Sequence, residues 1–306
     1  RRTLDLNQVT PVTQVINLSG IADAYRPTLV YNNGRLLCYF QAVFSGSGNS
    51  RMWTTYSDNQ GTSWVDYGPV DSASNQQFNQ SVAYSKQDGN TYVVFEDTRN
   101  ISTAGIDIYL AAERDGDGLQ FDYLKNLSFN RAELHEISPS VAVYGNQVGV
   151  IYLEVPPFSN ENNLCMIVSS SSFQSYSTYR MSQGVGNGFM HTSPSIAMGY
   201  RDRFTTAYGR YHLASNLLIS RIDDITSLSA GSFSSNNLEQ REIGTVPFDA
   251  ANARSAVVAY AGADDNAIVS FAAHQTYEDG NTPETVPFNA YFGKVIFQQN
   301  VNYGKQ

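Results

Sequence analysis

The sequence has little of what several protein classes require. Only 15% of its 306 residues are charged, and the formal net charge is −9 at pH 7. Proteins that bind the phosphate backbone of nucleic acids usually carry a basic patch, so the acidic balance argues against a nucleic-acid partner. No apolar run approaches the roughly 20 residues that cross a bilayer, so we expect no membrane insertion.

Cysteine is also scarce, since the chain has only Cys38 and Cys165. Both lie in apolar, strand-like runs, RLLCYF and NLCMIV. A free cysteine in such a run usually behaves as a small buried hydrophobe. A disulfide between the two would have to bring distant strands within a Cα distance of roughly 7 Å. We therefore expect two buried free thiols.

A helical repeat of apolar residues is nearly absent. Short alternating runs rich in Val, Ile, Tyr, Phe and Thr are separated instead by clusters of Gly, Asn, Asp and Ser, which is typical of strands and turns. Hydrophobic residues make up 42% of the chain and aromatic residues 12%, which is enough for a sizeable core. The sequence therefore predicts an all-β protein.

Five strand–turn–strand segments recur along the chain, beginning near residues 25, 78, 136, 191 and 252. Their equivalent positions are 53 to 60 residues apart. Such a period, with three or four strands per unit, is typical of β-propeller blades. We therefore predict one domain over residues 1–306, an all-β β-propeller with five or six blades of three to four antiparallel strands.

Two stretches outside these five segments leave the number of blades open. Residues 1–20 contain the strand-like run TPVTQVINL, which we expect to close the ring and remove an exposed sheet edge. The segments themselves give five blades. The polar stretch from Ile222 to Glu242 has room for a reduced sixth blade.

The run SDNQGTSW, residues 57–64, joins two extended segments through a polar turn. Ser, Asn and Gly suit sharp turns because their side chains cap the backbone or they tolerate positive φ. The run resembles the Asp-box of sialidases and related β-propellers, with Asn59 where that family usually has Asp and Ser63 where it usually has Thr. In that family the Asp-box lies on the rim away from the ligand, so the resemblance implies a blade and not an active site.

Polar residues cluster where the first strand of each segment begins and the second strand ends. In a propeller these positions surround one mouth of the central channel, and concave sites of this kind bind ligands. We expect substrate to be bound there by Arg26, Asn79, Arg99, His191, Arg210, His212, Arg254 and His274. The same positions supply four carboxylates, Glu96, Asp97, Glu136 and Glu154.

A second resemblance concerns the run AYRPTLVYNNGRLLCYF. It resembles the sialidase Phe/Tyr-Arg-Ile-Pro segment, although the Ile is missing, and the resemblance implies that Arg26 binds a substrate carboxylate. Arg210 and Arg254 fit the two further arginines of that family by position. The family's first-blade Asp has no counterpart in FSGSGNS, residues 44–50.

The chain also resembles exo-arabinanase-type glycosidases of the same superfamily. Their third-blade Trp-Glu-Pro resembles the segment from His135 to Pro139, which places a glutamate at Glu136, and a glutamate after the second strand resembles Glu154. Gly209 stands where such enzymes end the second strand of the fourth blade with a glutamate.

These resemblances imply an exo-acting glycoside hydrolase of the sialidase-like superfamily. Such enzymes need two carboxylates across the scissile bond, and we assign Glu136 as general acid with Glu154 or Asp97 as its partner. Glu96, the neighbour of Asp97, is an alternative source of that partner. The alternatives are a non-catalytic glycan-binding propeller, either a lectin or a viral or phage receptor-binding module, and a scaffold without a small ligand.

The remaining expectations concern cofactors and location. We expect no cofactor and no metal in the site, since the histidines show no metal-ligand spacing. The runs RDGDG, residues 114–118, and DDNA, residues 264–267, carry a weak calcium signal, and a hairpin turn suits them better. Low charge and glycosylation sequons at Asn17, Asn100 and Asn126 favour an extracellular, secreted or virion-surface protein.

Overall fold

The computed structural model describes the chain from residue 19 onward with several gaps. Backbone and side chains are described for residues 19–46, 48–113, 115–128, 134–144, 147–170, 176–198 and 204–214, apart from a few side chains at the edges of the gaps. Beyond residue 214 the strands are described by their backbone alone.

Four consecutive antiparallel sheets, each with four strands in chain order, form most of the described structure. Sheet 1 contains β1 (Ile21–Asn32), β2 (Arg35–Phe44), β3 (Ser50–Ser57) and β4 (Val65–Pro69). Sheet 2 contains β5 (Gln77–Tyr84), β6 (Thr91–Asp97), β7 (Asp107–Glu113) and β8 (Phe121–Asn126). Sheet 3 contains β9 (His135–Tyr144), β10 (Gln147–Val155), β11 (Asn163–Ser170) and β12 (Tyr176–Ser182). Sheet 4 contains β13 (Phe189–Met198), β14 (Phe204–His212), β15 (Leu217–Ile225) and β16 (Leu238–Pro247).

The last strands form a fifth, three-stranded sheet and a short ribbon. Sheet 5 contains β17 (Arg254–Tyr260), β18 (Asn266–Ala273) and β21 (Asn289–Ile296), while β19 (Thr276–Tyr277) pairs with β20 (Glu284–Thr285). The described residues contain no helix, and in particular none that could cross a membrane. The prediction of an all-β chain built from antiparallel strands is therefore confirmed.

Closure of the sheets into a ring stays a prediction, as does the blade number. Leu29 and Tyr31 on β1 are each 62% exposed, so this face of the first strand is open. The predicted ring-closing strand falls on residues 1–20, nearly all of which lie outside the described residues. The described parts of the stretch from Ile222 to Glu242 belong to β15 and β16, which pair with each other in sheet 4.

A β-bulge recurs in the first strand of each of sheets 1 to 4, where two residues face one on the second strand. In the first three sheets a non-glycine residue with positive φ occupies it: Arg26 (53°), Asn79 (55°) and Ser138 (56°). Such a backbone is costly for a residue with a side chain. The residues opposite the four bulges are all large, buried aromatics, namely Phe40, Phe95, Tyr152 and Tyr208.

The core lies between neighbouring sheets, because alternate residues of each strand face opposite sides. On β6, Val93 and Phe95 pack against sheet 1, whereas Tyr92 and Val94 pack against sheet 3. Sheets 3 and 4 meet in the same way around Phe204. Cys38 and Cys165 are buried and form no disulfide, as expected.

The predicted turn at residues 57–64 connects β3 to β4. Asn59 organises it, since its Oδ1 accepts a hydrogen bond from Ser63 N at 2.9 Å and its Nδ2 donates to Ser63 Oγ at 2.8 Å. Gly61 has φ of 86°, and its N–H donates to Ser57 Oγ at 2.9 Å. The turn is confirmed, and its kinship with the Asp-box stays a prediction.

The sequons at Asn100 and Asn126 lie within a side-chain network. The Nδ2 atoms of Asn100 and Asn126 donate to Asp107 Oδ2 at 2.8 and 2.7 Å, and Asp107 is buried. A glycan on either nitrogen would compete with these hydrogen bonds. Extracellular location stays a prediction and draws little support from these two sequons.

The loop between β7 and β8 links sheet 2 to sheet 1. Carbonyl oxygens of Gly116 and Gly118 accept hydrogen bonds from Asn32 Nδ2 at 3.0 Å and from Tyr39 OH at 2.7 Å. Both glycines have positive φ, 75° and 74°. The described residues of the run RDGDG therefore form the turn of a hairpin that bridges two sheets.

We predict that Gly118→Ala destabilises the protein more than Gly116→Ala. Both changes place a side chain at positive φ, which costs about 1–2 kcal/mol. A Cβ at residue 118 would also lie 2.3 Å from Leu37 Cδ1, whereas one at residue 116 meets only Gly89 O at 3.6 Å. Since Leu37 is fully buried, we expect overpacking to add about 1–3 kcal/mol. Urea denaturation of the two variants measures the difference, and equal midpoints would contradict this account of the loop.

Candidate functional site

The start of each first strand and the end of each second strand lie side by side in the structure. In sheets 2, 3 and 4, the residue two positions before the bulge on the first strand pairs with a residue near the end of the second strand. These pairs are Gln77 with Asp97, Glu136 with Glu154, and His191 with Arg210. The prediction grouped these strand ends at one mouth. The structure brings the members of each pair together. At the same end of the sheets, a hydrogen bond from Ser138 of sheet 3 to Glu96 of sheet 2 joins two neighbouring sheets.

Glu96 is the carboxyl that links two sheets at this end. It lies one residue before the end of β6 and is 2% exposed. Its Oε1 accepts hydrogen bonds from Asn79 Nδ2 at 2.6 Å and from the backbone N–H of Ser138 at 2.7 Å. Asn79 and Ser138 are the bulge residues of sheets 2 and 3, so the two bulges aim donors at one carboxyl.

Burial raises the pKa of the Glu96 carboxyl to about 7. The Ser138 N–H, the Asn79 amide and the charge of Arg26 act in the opposite direction, because each favours the ionised form. Burial outweighs them. A carboxyl with such a pKa is partly protonated at neutral pH and can donate a proton, as a general acid must.

Glu136 is fully buried at the start of β9, and its backbone N–H donates to Ile106 O at 2.8 Å. Its neighbour Ile137 packs in the cluster between sheets 3 and 4. Alternation along the strand therefore turns Glu136 toward sheet 2. Glu96 follows Phe95, which packs against sheet 1, and so faces sheet 3. The two glutamates thus face the same space between sheets 2 and 3.

Glu154 is held inside sheet 3. Its Oε1 accepts hydrogen bonds from Arg180 Nη2 at 2.8 Å and from Asn163 Nδ2 at 2.9 Å, and its carboxyl is 2% exposed. Arg180 lies on β12, so Glu154 reaches toward the outer strands. A buried carboxylate needs such a partner, and the arrangement favours a structural role for Glu154.

Asp97 lies in a second ion cluster. It accepts hydrogen bonds from Arg99 Nε at 2.9 Å and Nη2 at 2.7 Å, and Arg99 Nη2 also contacts Asp71. The Arg99 guanidinium stacks 4.0 Å above the Tyr109 ring, so its planar face and its hydrogen-bonding edge both contact the protein. These contacts favour a structural role for Asp97 and Arg99.

His191 is buried between sheets 3 and 4. Its Nδ1 lies 3.0 Å from both the backbone oxygen and Oδ1 of Asn162, and its Nε2 lies 2.9 Å from Ser182 Oγ. Two oxygens at Nδ1 assign the proton to that nitrogen, which leaves Nε2 to accept from Ser182. The ring thereby ties Asn162, which directly precedes β11, and Ser182, the last residue of β12, to sheet 4.

The remaining predicted ligands fall into three groups. Arg26 is exposed on β1, and its carbonyl accepts a hydrogen bond from Gln80 of sheet 2. Arg210 and His212 contact the Phe189 ring, at 3.6 Å from the guanidinium carbon to the centroid and 4.8 Å between ring centroids. Arg254 begins β17 without a described side chain, and His274 lies outside the described residues.

Sequence reasoning chose Asp97 as the blade-two catalytic carboxylate and named its neighbour Glu96 only as an alternative, whereas the structure favours Glu96. Strand alternation decides between them, because Phe95 and Asp97 face sheet 1 and Glu96 faces sheet 3. The signal in the sequence is the alternation of VVFED, residues 93–97, which places Glu96 on the opposite face of the strand from Phe95 and Asp97. No group of three or more His, Cys, Asp or Glu in the part of the chain that the structure describes could hold a metal ion.

Comparisons with known proteins give a likeness of fold. No protein-family model matches the chain, and no curated protein matches it by sequence. Among solved structures, an α-L-arabinanase of Penicillium chrysogenum complexed with arabinobiose aligns with a TM-score of 0.54 and 14% identity, over 81% of this chain and 72% of that chain. An α-L-arabinofuranosidase of Fusarium graminearum with an iminosugar inhibitor gives 0.53 and 13% over the same shares. An endo-arabinase of Bacteroides thetaiotaomicron gives 0.52 and 11%, over 92% and 99%.

We predict that Glu96 makes stability fall as pH rises from about 5 to about 8. The folded pKa of about 7 exceeds the ordinary 4.5, so the folded state keeps the proton longer than the unfolded state. The stabilisation is present below the unfolded pKa and is lost through the folded one. Over this range the wild type should lose about 2–3 kcal/mol more than Glu96→Gln.

Urea denaturation of both proteins across this pH range measures that difference. Glu113, another buried carboxyl with a raised pKa, is present in both proteins and cancels. Parallel pH profiles for the wild type and Glu96→Gln would show that Glu96 has an ordinary pKa.

Proposed function

We propose that the chain is a carbohydrate-active β-propeller, a glycoside hydrolase of the sialidase-like superfamily that removes terminal sugars from a glycan. The fold likeness to arabinanases and an arabinofuranosidase supports an arabinose-containing substrate. Consecutive four-stranded sheets that pack face to face support the propeller. Its closure and a secreted location are part of the proposal.

The observation that carries the proposal is the buried Glu96 carboxyl, held by Asn79 and Ser138 between sheets 2 and 3; its burial raises its pKa to about 7. A glycosidase needs one protonated carboxyl to donate to the leaving oxygen. Glu96 meets this need by burial, and the hydrogen bonds from Asn79 and Ser138 fix its position. We therefore assign general-acid chemistry to Glu96 in place of Glu136, the first choice from sequence.

Glu136 is the second carboxylate in this proposal. It faces the same space as Glu96 and lies two residues before Ser138, whose N–H bonds Glu96 at 2.7 Å. In a glycosidase the second carboxylate acts as nucleophile or as general base, opposite the acid, and Glu136 would fill that role.

Arg26 is the substrate-binding residue that geometry supports best. It is exposed, occupies the bulge of sheet 1, and its charge acts on Glu96. A guanidinium there can bind sugar hydroxyls or a carboxylate. Roles for His191, Arg210, His212, Arg254 and His274 in substrate binding stay predictions.

A second candidate function is glycan binding without hydrolysis. It is favoured by the ion pairs of Asp97 with Arg99 and of Glu154 with Arg180. These pairs neutralise two of the three carboxylates that the sequence pointed to for catalysis. Under this reading Glu96 and Glu136 would be buried structural groups.

We predict that Glu96→Gln lowers kcat/KM on alkyl α-L-arabinofuranosides, whose leaving alcohol needs a proton, by about 100-fold or more, because general acid catalysis contributes about that much. The alkaline limb of the wild-type pH profile, with an apparent pKa of about 7, should disappear. Glu113→Gln is the matched control. Glu113 is also fully buried, but it bonds the backbone of Asp117 and Thr91 at the opposite end of sheet 2, so hydrolysis should persist.

The same assay, run on a panel of alkyl glycosides, separates the two functions. Unchanged kcat/KM in Glu96→Gln would refute the general acid. A wild type that hydrolyses no glycoside of the panel yet binds a glycan array would favour the binding propeller.

A further inference from the structure

Phe158 is the most exposed large hydrophobic residue in the described part of the chain. Its relative exposure is 109%, whereas the other exposed large hydrophobic residues there lie between 39% and 62%. It lies in the loop after β10, the strand whose Glu154 pairs with Glu136. Phe158 is four residues beyond Glu154, so the two Cα atoms are within about 14 Å of each other. The ring is therefore presented at the same end of sheet 3 as the proposed second carboxylate.

The backbone at Phe158 has a conformation that phenylalanine rarely adopts, with φ of 59°. The Ser159 N–H donates to Pro156 O at 3.3 Å, which closes a four-residue turn with Pro157 second and Phe158 third. Proline second and positive φ third are features of a type II turn, whose third position favours glycine or asparagine. The chain thus keeps an aromatic ring at a position that is costly for its backbone and that buries none of it.

The rest of this loop is anchored, so the turn stands on a fixed base. The Glu161 carboxylate accepts hydrogen bonds from the N–H groups of Gly186 and Gly188 at 2.5 and 3.0 Å. Asn162 Nδ2 donates to His191 O at 3.0 Å, and Asn162 Oδ1 accepts from His191 N at 2.6 Å. These bonds fix the loop to β13 and to the connection that precedes it. A fixed loop loses little conformational freedom when a ligand binds.

Asn160 is the second exposed side chain at the tip of the loop, and it has no hydrogen-bond partner among the described residues. A carboxamide both donates and accepts hydrogen bonds, as a sugar hydroxyl does. The carboxylate of Glu161 is already held by two N–H groups, so the tip presents an aromatic face and a neutral amide. This pair suits the C–H face and the hydroxyls of a neutral sugar ring better than it suits a charged ligand.

We propose that Phe158 and Asn160 form a platform for a neutral sugar ring in the polymeric part of the glycan, beyond the sugar that is cleaved. The ring stacks on Phe158 and its hydroxyls contact Asn160, while the terminal sugar lies at Glu96 and Glu136. The platform rests on the carbohydrate-active function proposed above, because that function supplies the class of ligand. It makes the protein favour an arabinose polymer over a short arabinoside, since only the polymer reaches both places.

Binding of soluble arabinan, measured by affinity electrophoresis in native gels, tests the platform. Phe158→Leu keeps an apolar side chain without an aromatic face, and it should weaken arabinan binding at least about 5-fold, whereas Phe158→Trp should bind at least as tightly as the wild type. Tyr67→Leu is the matched control and should bind like the wild type. Tyr67 is also an exposed aromatic residue, but it lies on β4, the outer strand of sheet 1, beside Tyr56.

Two further variants separate binding from folding. Asn160→Ala should weaken arabinan binding about 3-fold or more, because a hydrogen bond to a hydroxyl is lost. Phe158→Gly should bind as weakly as Phe158→Leu, yet it should unfold at the same or a higher urea concentration than the wild type, since glycine suits positive φ. A lower unfolding midpoint for Phe158→Gly would mean that the ring supports the fold, and it would overturn the platform.

Hydrolysis by the same preparations keeps the platform and the proposed function apart. A wild type that binds arabinan through Phe158 but hydrolyses no glycoside would support the platform and refute the hydrolase. An active wild type whose arabinan binding is unchanged in Phe158→Leu would refute the platform alone. No binding of arabinan by the wild type would also overturn the platform, as would Phe158-dependent self-association in sedimentation velocity without arabinan binding, which would assign the ring to a second copy of the chain.

Discussion

The bulge in the first strand of each sheet is the constraint on which the site depends. It places Arg26, Asn79 and Ser138 in a left-handed backbone that side chains rarely adopt. A buried aromatic opposite each bulge, such as Phe95 or Tyr152, holds that backbone by packing. The bulge redirects an amide N–H or a side chain out of the ladder, and at Glu96 two such donors converge from neighbouring sheets.

The donors that the bulges supply also distinguish the candidate functional carboxyl, Glu96, from the structural ones. Asp97 and Glu154 end their strands beside arginines of the same sheet, so each charge is compensated locally. Glu96 is instead held by two neutral donors, the Asn79 amide and the Ser138 N–H, and burial dominates its pKa. A buried acid that stays protonated near neutrality is a functional candidate because stability alone does not require it.

Much of the fold could be predicted from sequence, because strand alternation and turn chemistry are local. The run SDNQGTSW, for example, contains the residues that its turn requires. The site was harder to predict, since Glu96 and Asp97 are equally polar at the same strand end. Their roles differ by which sheet each faces, and that depends on packing of Phe95 against sheet 1. The partner of Glu154, Arg180, lies 26 residues away and carries no local signal.

The most direct test of this account is a ¹³C NMR titration of the Glu96 carboxyl in selectively labelled protein, with Glu96→Gln to assign its signal. The account predicts a midpoint near 7 in the folded chain. A midpoint near the ordinary 4.5 would show that the carboxyl is ionised at neutral pH. It would contradict both the assignment of Glu96 as general acid and the account of how burial raises its pKa.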